Sequence, residues 1–217
     1  METKIQYTRP EIDMFNRLDT PSKIQDFLNS LKFNFEENGQ TCMSPRKVLR
    51  EKKAHCMEGA IFAAAILEYH GHKPLILDLR AAKRDFDHTV AVFKQFGCFG
   101  AVSKTNHAVL RYREPIYKTI RELALSFFHE YFDDNGRKNL REYSELLDLS
   151  YFDHQKRGAV NWRTTEEDIW DIPFKLDNIK HHRILSPAQE KNLRLADAIE
   201  VRAGKLVERR MPKKPSR

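Results

Sequence analysis

Residues 60 to 67 read Ala-Ile-Phe-Ala-Ala-Ala-Ile-Leu, with no polar side chain among them. A helix apolar on every side has no face to offer water, so other elements must wrap it. The chain is therefore predicted to build its fold around a buried helix from about His55 to His70, with Gly71 as its C-terminal stop. That helix opens on His55-Cys56-Met57-Glu58-Gly59. A helix N-terminus presents unpaired N–H groups and the positive end of the dipole. A thiol placed there ionises more easily, and the thiolate is the reactive form.

The flanking sequence supplies the wrapping. Thr20-Pro21 is a cap followed by a first-turn proline, and Ile24, Phe27, Leu28 and Leu31 recur at helical spacing behind it. Ser44-Pro45 starts a second short helix. The pattern then changes to strands: residues 73–79, then 88–93 after the polar turn Asp85-Phe86-Asp87, then 99–103 after a hairpin turn around Cys98. Residues 107–112 are offered as a fourth strand. A helix is expected from Pro115 to Tyr131, and an extended segment over 140–149. Another helix is expected from Thr164, burying Ile169, Trp170, Phe174 and Leu176, and a last one from Ser186 toward Glu200. The fold class is α+β: N-terminal helices, a buried cysteine-bearing helix packed on a small antiparallel sheet, and further helices C-terminal to it.

Composition narrows the function classes. A chain of 217 residues suits one domain, here assigned to residues 1–200. No apolar run approaches the roughly 20 residues of a membrane span, and the N-terminus lacks the apolar core of a signal peptide. Three cysteines, Cys42, Cys56 and Cys98, suit a reducing compartment better than a disulfide framework, so a cytoplasmic location is expected. Most of the net charge of +7 lies beyond residue 200, where seven cations face the single anion Glu208. Residues 201–217 are read as a basic, disordered tail, and removing residues 205–217 is expected to leave stability nearly unchanged. A basic tail without a recognition motif is a weak basis for nucleic-acid binding, which is not expected.

Histidine supplies what a reactive cysteine needs. His88 opens the second strand, in Asp87-His88-Thr89-Val90-Ala91-Val92, and an imidazole there can act as base toward Cys56. Asp87 adjoins it but belongs to the other face of the strand. His70-Gly71-His72 and His181-His182 have no second ligand cluster, so no metal site is assigned. No phosphate-binding glycine loop is present and no cofactor is called for.

The segments His55-Cys56-Met57-Glu58-Gly59-Ala60 and Asp87-His88-Thr89-Val90-Ala91-Val92, in that order, resemble the transglutaminase-like branch of the papain-like cysteine fold. The resemblance covers roughly residues 44 to 112. Over its whole length the chain is also similar to bacterial proteins of unassigned activity that share Gly100-Ala101-Val102-Ser103-Lys104 and Asn106-His107-Ala108-Val109-Leu110-Arg111-Tyr112-Arg113.

The resemblance implies Cys56 as nucleophile, His88 as its base, and an acidic third member on the next strand. Ser103 occupies that place, with Asn106 three residues on, and neither is acidic. Either can hold an imidazole, the amide by accepting its Nδ1–H and the hydroxyl more weakly. Neither stabilises an imidazolium as a carboxylate does. The expected function is thiol-dependent acyl chemistry on a peptide or other amide- or ester-containing substrate, with Cys56, His88, Ser103 and Asn106 as the site. The alternative is a non-catalytic binding module of the same fold, and the missing acid favours it. Oligomeric state is left open.

Overall fold

The computed structural model describes residues 6–83, 85–154 and 161–210. In chain order, α1 (Arg9–Arg17) and α2 (Pro21–Ser30) lead to β1 (Lys32–Phe33), α3 (Pro45–Glu51), β2 (Lys53–Ala54) and α4 (Cys56–Tyr69). Four strands follow: β3 (Leu75–Ala81), β4 (His88–Gln95), β5 (Cys98–Ser103) and β6 (Arg113–Tyr117). Then come α5 (Ile120–Phe128), β7 (Leu140–Ser144), β8 (Leu147–Asp148) and a 3-10 helix, Leu149–His154. The described chain ends with α6 (Asp171–Asn178), β9 (His181–Arg183), α7 (Pro187–Lys191) and α8 (Ala198–Gly204).

Seven strands form one antiparallel sheet in the order β6-β5-β4-β3-β7-β9, with β8 paired to β3. The class is α+β, and the sheet is larger than the small one expected. β1 and β2 make a separate parallel pair of two residues each, just ahead of α4. That pair carries the chain into the helix.

The sheet divides two cores. On one face α4 is buried by Ile24 and Leu28 of α2, Val48 of α3, and Ile76, Ala91, Phe93 and Val102 of the sheet. Every residue from Ala60 to Leu67 is buried, as the continuous apolar run demands. On the other face Leu123, Ala124 and Phe127 of α5 cover Leu77, Leu79, Val90, Val92 and Ala101. The strands between the two layers are apolar on both faces, which is why they read as continuous runs rather than alternating ones.

Gly59 permits the closest approach across the first core. A Cβ there would lie 2.4 Å from the Cβ of Lys104, just past the end of β5. The Lys104 side chain is fully buried and donates to the carbonyls of Leu28 and Leu31, both at 2.9 Å. It thereby adds a donor to two carbonyls at the end of α2 and pins that helix to the sheet. Burial pulls its ammonium down to about 8.

Several expected boundaries move. The fourth strand is Arg113–Tyr117 rather than 107–112, and Pro115 sits in it without penalty because β6 is the sheet's edge. The following helix starts at Ile120, with Thr119 as its cap and Glu122 closing the capping box. The segment from Thr164 is turn, and α6 begins at Asp171, burying Ile172 and Leu176 while Trp170 and Phe174 face solvent. The last expected helix is two, α7 and α8.

The tail also departs from expectation. Residues 201–204 belong to α8, and the backbone beyond it pairs with 106–108: Ala108 N–H donates to Leu206 and Glu208 N–H to Asn106. Residues 211–217 lie outside the described residues. Among the described residues, no helix is long and apolar enough to cross a membrane.

Candidate active site

Cys56 is the first residue of α4 and is half-buried, its helix N-terminus emerging at one end of the sheet. The segment that delivers it is held by a carboxylate from the same helix. Glu58, fully buried, accepts from the Asn34 amide at 3.0 Å, the Thr41 hydroxyl at 2.8 Å, the Met43 N–H at 3.0 Å and the His55 N–H at 3.0 Å. A buried carboxylate is tolerable only when so many donors meet it. Glu58 thus ties the loop 34–43 to the start of α4, which fixes the backbone on both sides of the thiol. Such a role suits an acid in the first turn of a helix.

Two imidazoles bear on the thiol, not one: His55 and His88 both favour the Cys56 thiolate. Burial pushes the thiol up, but the bonds from His55 and then His88 outweigh it and bring Cys56 down to about 5. Burial works against the His55 cation too. The Cys56 contact and the Glu58 charge overcome it and raise His55 to about 9. Cys42, by contrast, is buried without such partners, and burial pushes its thiol upward.

His88 reaches the thiol from an unexpected side. Along β4 it shares parity with Val90 and Val92, which face α5, whereas Ala91 and Phe93 face α4. As the first residue of the strand it stands at the sheet's end, where its ring favours ionisation of Cys56, the first residue of α4. The turn before it is anchored by Tyr131, whose hydroxyl donates to the Phe86 carbonyl.

Ser103 holds the far side of the ring. Its Oγ lies 2.8 Å from His88 Nε2 and 2.6 Å from the Leu110 carbonyl. The hydroxyl has one proton, and a carbonyl can only accept, so that proton goes to Leu110. Ser103 therefore accepts from His88 Nε2–H, and Nδ1 is the nitrogen left for Cys56. The contact is made through Nε2, where the sequence reading placed it on Nδ1. Leu110 supplies its carbonyl from a left-handed backbone, φ 61°, which costs an L-residue on the order of 1–2 kcal/mol. Its N–H is secured by Glu130 Oε2 at 2.8 Å.

Asn106 does not take the orienting role offered to it. Its amide spans the backbone of Arg209, donating to the carbonyl at 2.9 Å and accepting from the N–H at 3.1 Å. The chain turns away from the sheet after Ser103, and that carries Asn106 to the C-terminal segment instead. Asp87, as its strand position implies, is engaged elsewhere, accepting from the Ala81 N–H at 2.7 Å.

His55 is the residue that sequence reasoning missed. It precedes a cysteine and stands three residues before a glutamate, which locally reads as no more than a helix cap. Its ring becomes informative only once the loop 34–43 folds over it.

The histidine pairs set aside as metal ligands have other partners. His70 Nε2 lies 2.9 Å from the Phe15 carbonyl, and His181 Nε2 lies 3.1 Å from Asp78. No family model matches the chain, and no curated protein matches it in sequence.

Proposed function

We propose that this protein carries out thiol-dependent acyl chemistry, amide or ester hydrolysis or acyl transfer, on a transglutaminase-like core. The observation that carries the reading is Cys56 at the start of a buried helix, lowered to about 5 and in contact with an imidazole whose far nitrogen is fixed by Ser103. A cysteine-bearing helix followed by a histidine that opens the next-but-one strand of an antiparallel sheet supports the assignment of the core.

In this reading Cys56 gives its proton to His88 Nδ1 and attacks the substrate carbonyl. The carbon–sulfur bond forms, the carbonyl electrons move to oxygen, and the Cys56 backbone N–H at the helix start faces the developing charge. Collapse breaks the bond to the amine or alcohol, which takes the proton from Nδ1. Water or an amine then attacks the thioester and gives its proton to Nδ1, and thiolate leaves. The cycle consumes no cofactor, and one proton moves back and forth on one nitrogen. Ser103 keeps Nε2–H occupied throughout, so the proton exchange stays on the face toward Cys56.

One observation favours the second reading, a binding module: the group on His88 Nε2 is a hydroxyl, not a carboxylate. The two readings part on acylation. With p-nitrophenyl acetate, the enzyme reading expects a nitrophenolate burst of one equivalent and one acetyl group on Cys56 by mass spectrometry. Cys56→Ser removes both and His88→Ala slows the burst at least ~100-fold. Acetylation no faster than that of Cys98 would leave the binding module as the better account.

A further inference from the structure

His55 brings a second ring to the thiol, and its surroundings differ from those of His88. Its Nε2 lies 3.0 Å from the Thr41 carbonyl, which can only accept, so Nε2 carries a proton. The same nitrogen lies 3.5 Å from Glu58 Oε1 and 3.8 Å from Glu36 Oε1. Glu36 is itself held toward the ring, since its Oε1 accepts from the Thr41 N–H at 2.8 Å. The charged and titratable groups bearing on this imidazole are thus the Glu36 and Glu58 carboxylates and the Cys56 thiol, which also responds to His88. His88 Nε2 faces the Ser103 hydroxyl, and among the described residues no carboxylate pairs with His88. One ring is built to carry charge and the other to pass a proton.

We propose that His55 is a second catalytic imidazole of this site: it stays cationic through the cycle and pairs with the Cys56 thiolate, leaving His88 alone to move protons. This inference rests on the reading of Cys56 as a nucleophile and divides the work around it. It also accounts for the neutral Ser103. When His88 is the only imidazole, a carboxylate behind it stabilises the imidazolium–thiolate pair. When the counter-cation is a different residue, with Glu36 and Glu58 behind it, the acid belongs there and the group behind His88 needs only to orient. The acidic third member is not missing; it has moved to the other histidine.

The charge step balances without a further reactant. The thiolate and His55⁺ form the resting pair. The proton that left Cys56 waits on His88 Nδ1. Acylation passes it to the leaving amine or alcohol and consumes the thiolate charge. Deacylation returns a proton from the attacking water or amine to Nδ1 as the thiolate leaves, and the His55 proton stays on its ring throughout.

The test reads ionisation rather than turnover. The thiolate absorbance of Cys56 is titrated in the full chain with Cys42 and Cys98 replaced by Ala, then in the same background with His55→Gln or His88→Gln. With both histidines in place the Cys56 thiol should give a midpoint near 5. His55→Gln should raise it by at least about one unit, a tenfold loss of thiolate below the midpoint. His88→Gln should leave Cys56 largely ionised at neutral pH yet slow its acetylation.

A low midpoint unmoved by His55→Gln and abolished by His88→Gln would overturn the inference and leave the acyl chemistry standing. A midpoint lost with His55→Gln, together with no acetylation of the parent protein, would do the reverse. An ordinary cysteine midpoint in the parent would sink both. Should His55→Gln fail to fold, ring nuclear magnetic resonance of the unmutated protein decides: His55 should be doubly protonated at pH 7.5 and lose that proton more easily once iodoacetamide has capped Cys56. A neutral ring before capping would refute the assignment.

Discussion

The side-chain amide of Gln25 closes on the backbone of Ser103 from both sides, accepting from its N–H at 2.9 Å and donating to its carbonyl at 2.8 Å. Gln25 stands where a further strand would stand, and gives the end of β5 the pairing it lacks there. Helix α2 thereby sets the position of the residue that sets His88. Gln25→Ala leaves two buried backbone groups unpaired, and each costs about 1–3 kcal/mol. Urea unfolding should therefore show a loss of roughly 2–6 kcal/mol, together with slower acetylation of Cys56. Unchanged stability would mean that water replaces the amide.

Ser103 should separate folding from chemistry. Ser103→Ala takes a partner from His88 Nε2 and from the Leu110 carbonyl and should cost about 1–3 kcal/mol of stability, while slowing Cys56 acetylation roughly ten- to a hundredfold. Restoring the acid should not help. In Ser103→Asp a carboxylate oxygen would face the Leu110 carbonyl, now 2.6 Å from Oγ, with no proton between them. That variant should be slower than the parent, and a faster one would show that the site wants the carboxylate after all.

Gly59→Ala should be costly for so small a change. The new Cβ meets Lys104 Cβ at 2.4 Å, and neither backbone can retreat from a packed core. Overpacking of this kind costs about 1–3 kcal/mol, measurable as a shift in the denaturant midpoint. Because the clash is with Cβ, Lys104→Ala should not rescue it, whereas Lys104→Gly should in part.

Deleting residues 205–217 should destabilise the protein, against the expectation for a free tail. The deletion unpairs Asn106 and Ala108 and removes Glu208 from Arg111, 2.8 Å away, and from buried Lys104, 3.9 Å away. A loss of about 1–3 kcal/mol is expected by thermal melting. Asn106→Ala should reproduce part of it with little effect on the Cys56 midpoint.

His181 and Asp78 form a second, separate ion pair between β9 and β3, at 3.1 Å, with both side chains almost fully buried. Burial opposes the His181 cation, but the Asp78 hydrogen bond prevails and its pKa is raised above the usual 6.5. A raised histidine stabilises the fold below its unfolded pKa, and that contribution fades as pH rises through the folded value. His181→Gln should therefore lose stability at pH 5.5 more than at pH 9, with Arg80, 3.9 Å from Asp78, left as that carboxylate's cation. Equal losses at both pH values would show that His181 is held neutral.

The parts legible in the sequence are those with local signals. The apolar run announces α4, Thr20 and Ser44 accept from Lys23 and Lys47 as caps, and the apolar strand runs announce β3 to β5. Helix α1 went unread because its burial rests on few side chains, Glu11 and Phe15. The pairing of Ser103 with Gln25 joins positions 78 residues apart, and the bond from Asn106 to Arg209 spans 103. Such side-chain-to-backbone contacts leave no periodicity behind. Cys56 and His88 could be singled out because each starts an element. His55 could not, because its partners Thr41 and Glu36 come from a loop without a pattern of its own.

The Glu58 hub carries a consequence for how the molecule matures. The carboxylate gathers Asn34, Thr41, Met43 and His55 only when the loop has docked, and His88 and Ser103 arrive with the sheet. A nascent or unravelled chain therefore owns an ordinary thiol, protonated and quiet in mild acid, and the reactive one comes into being as the last pieces close around it. A haloacetamide dye applied at pH 6 would then mark finished molecules and pass over the rest, so the residue keeps its own record of assembly.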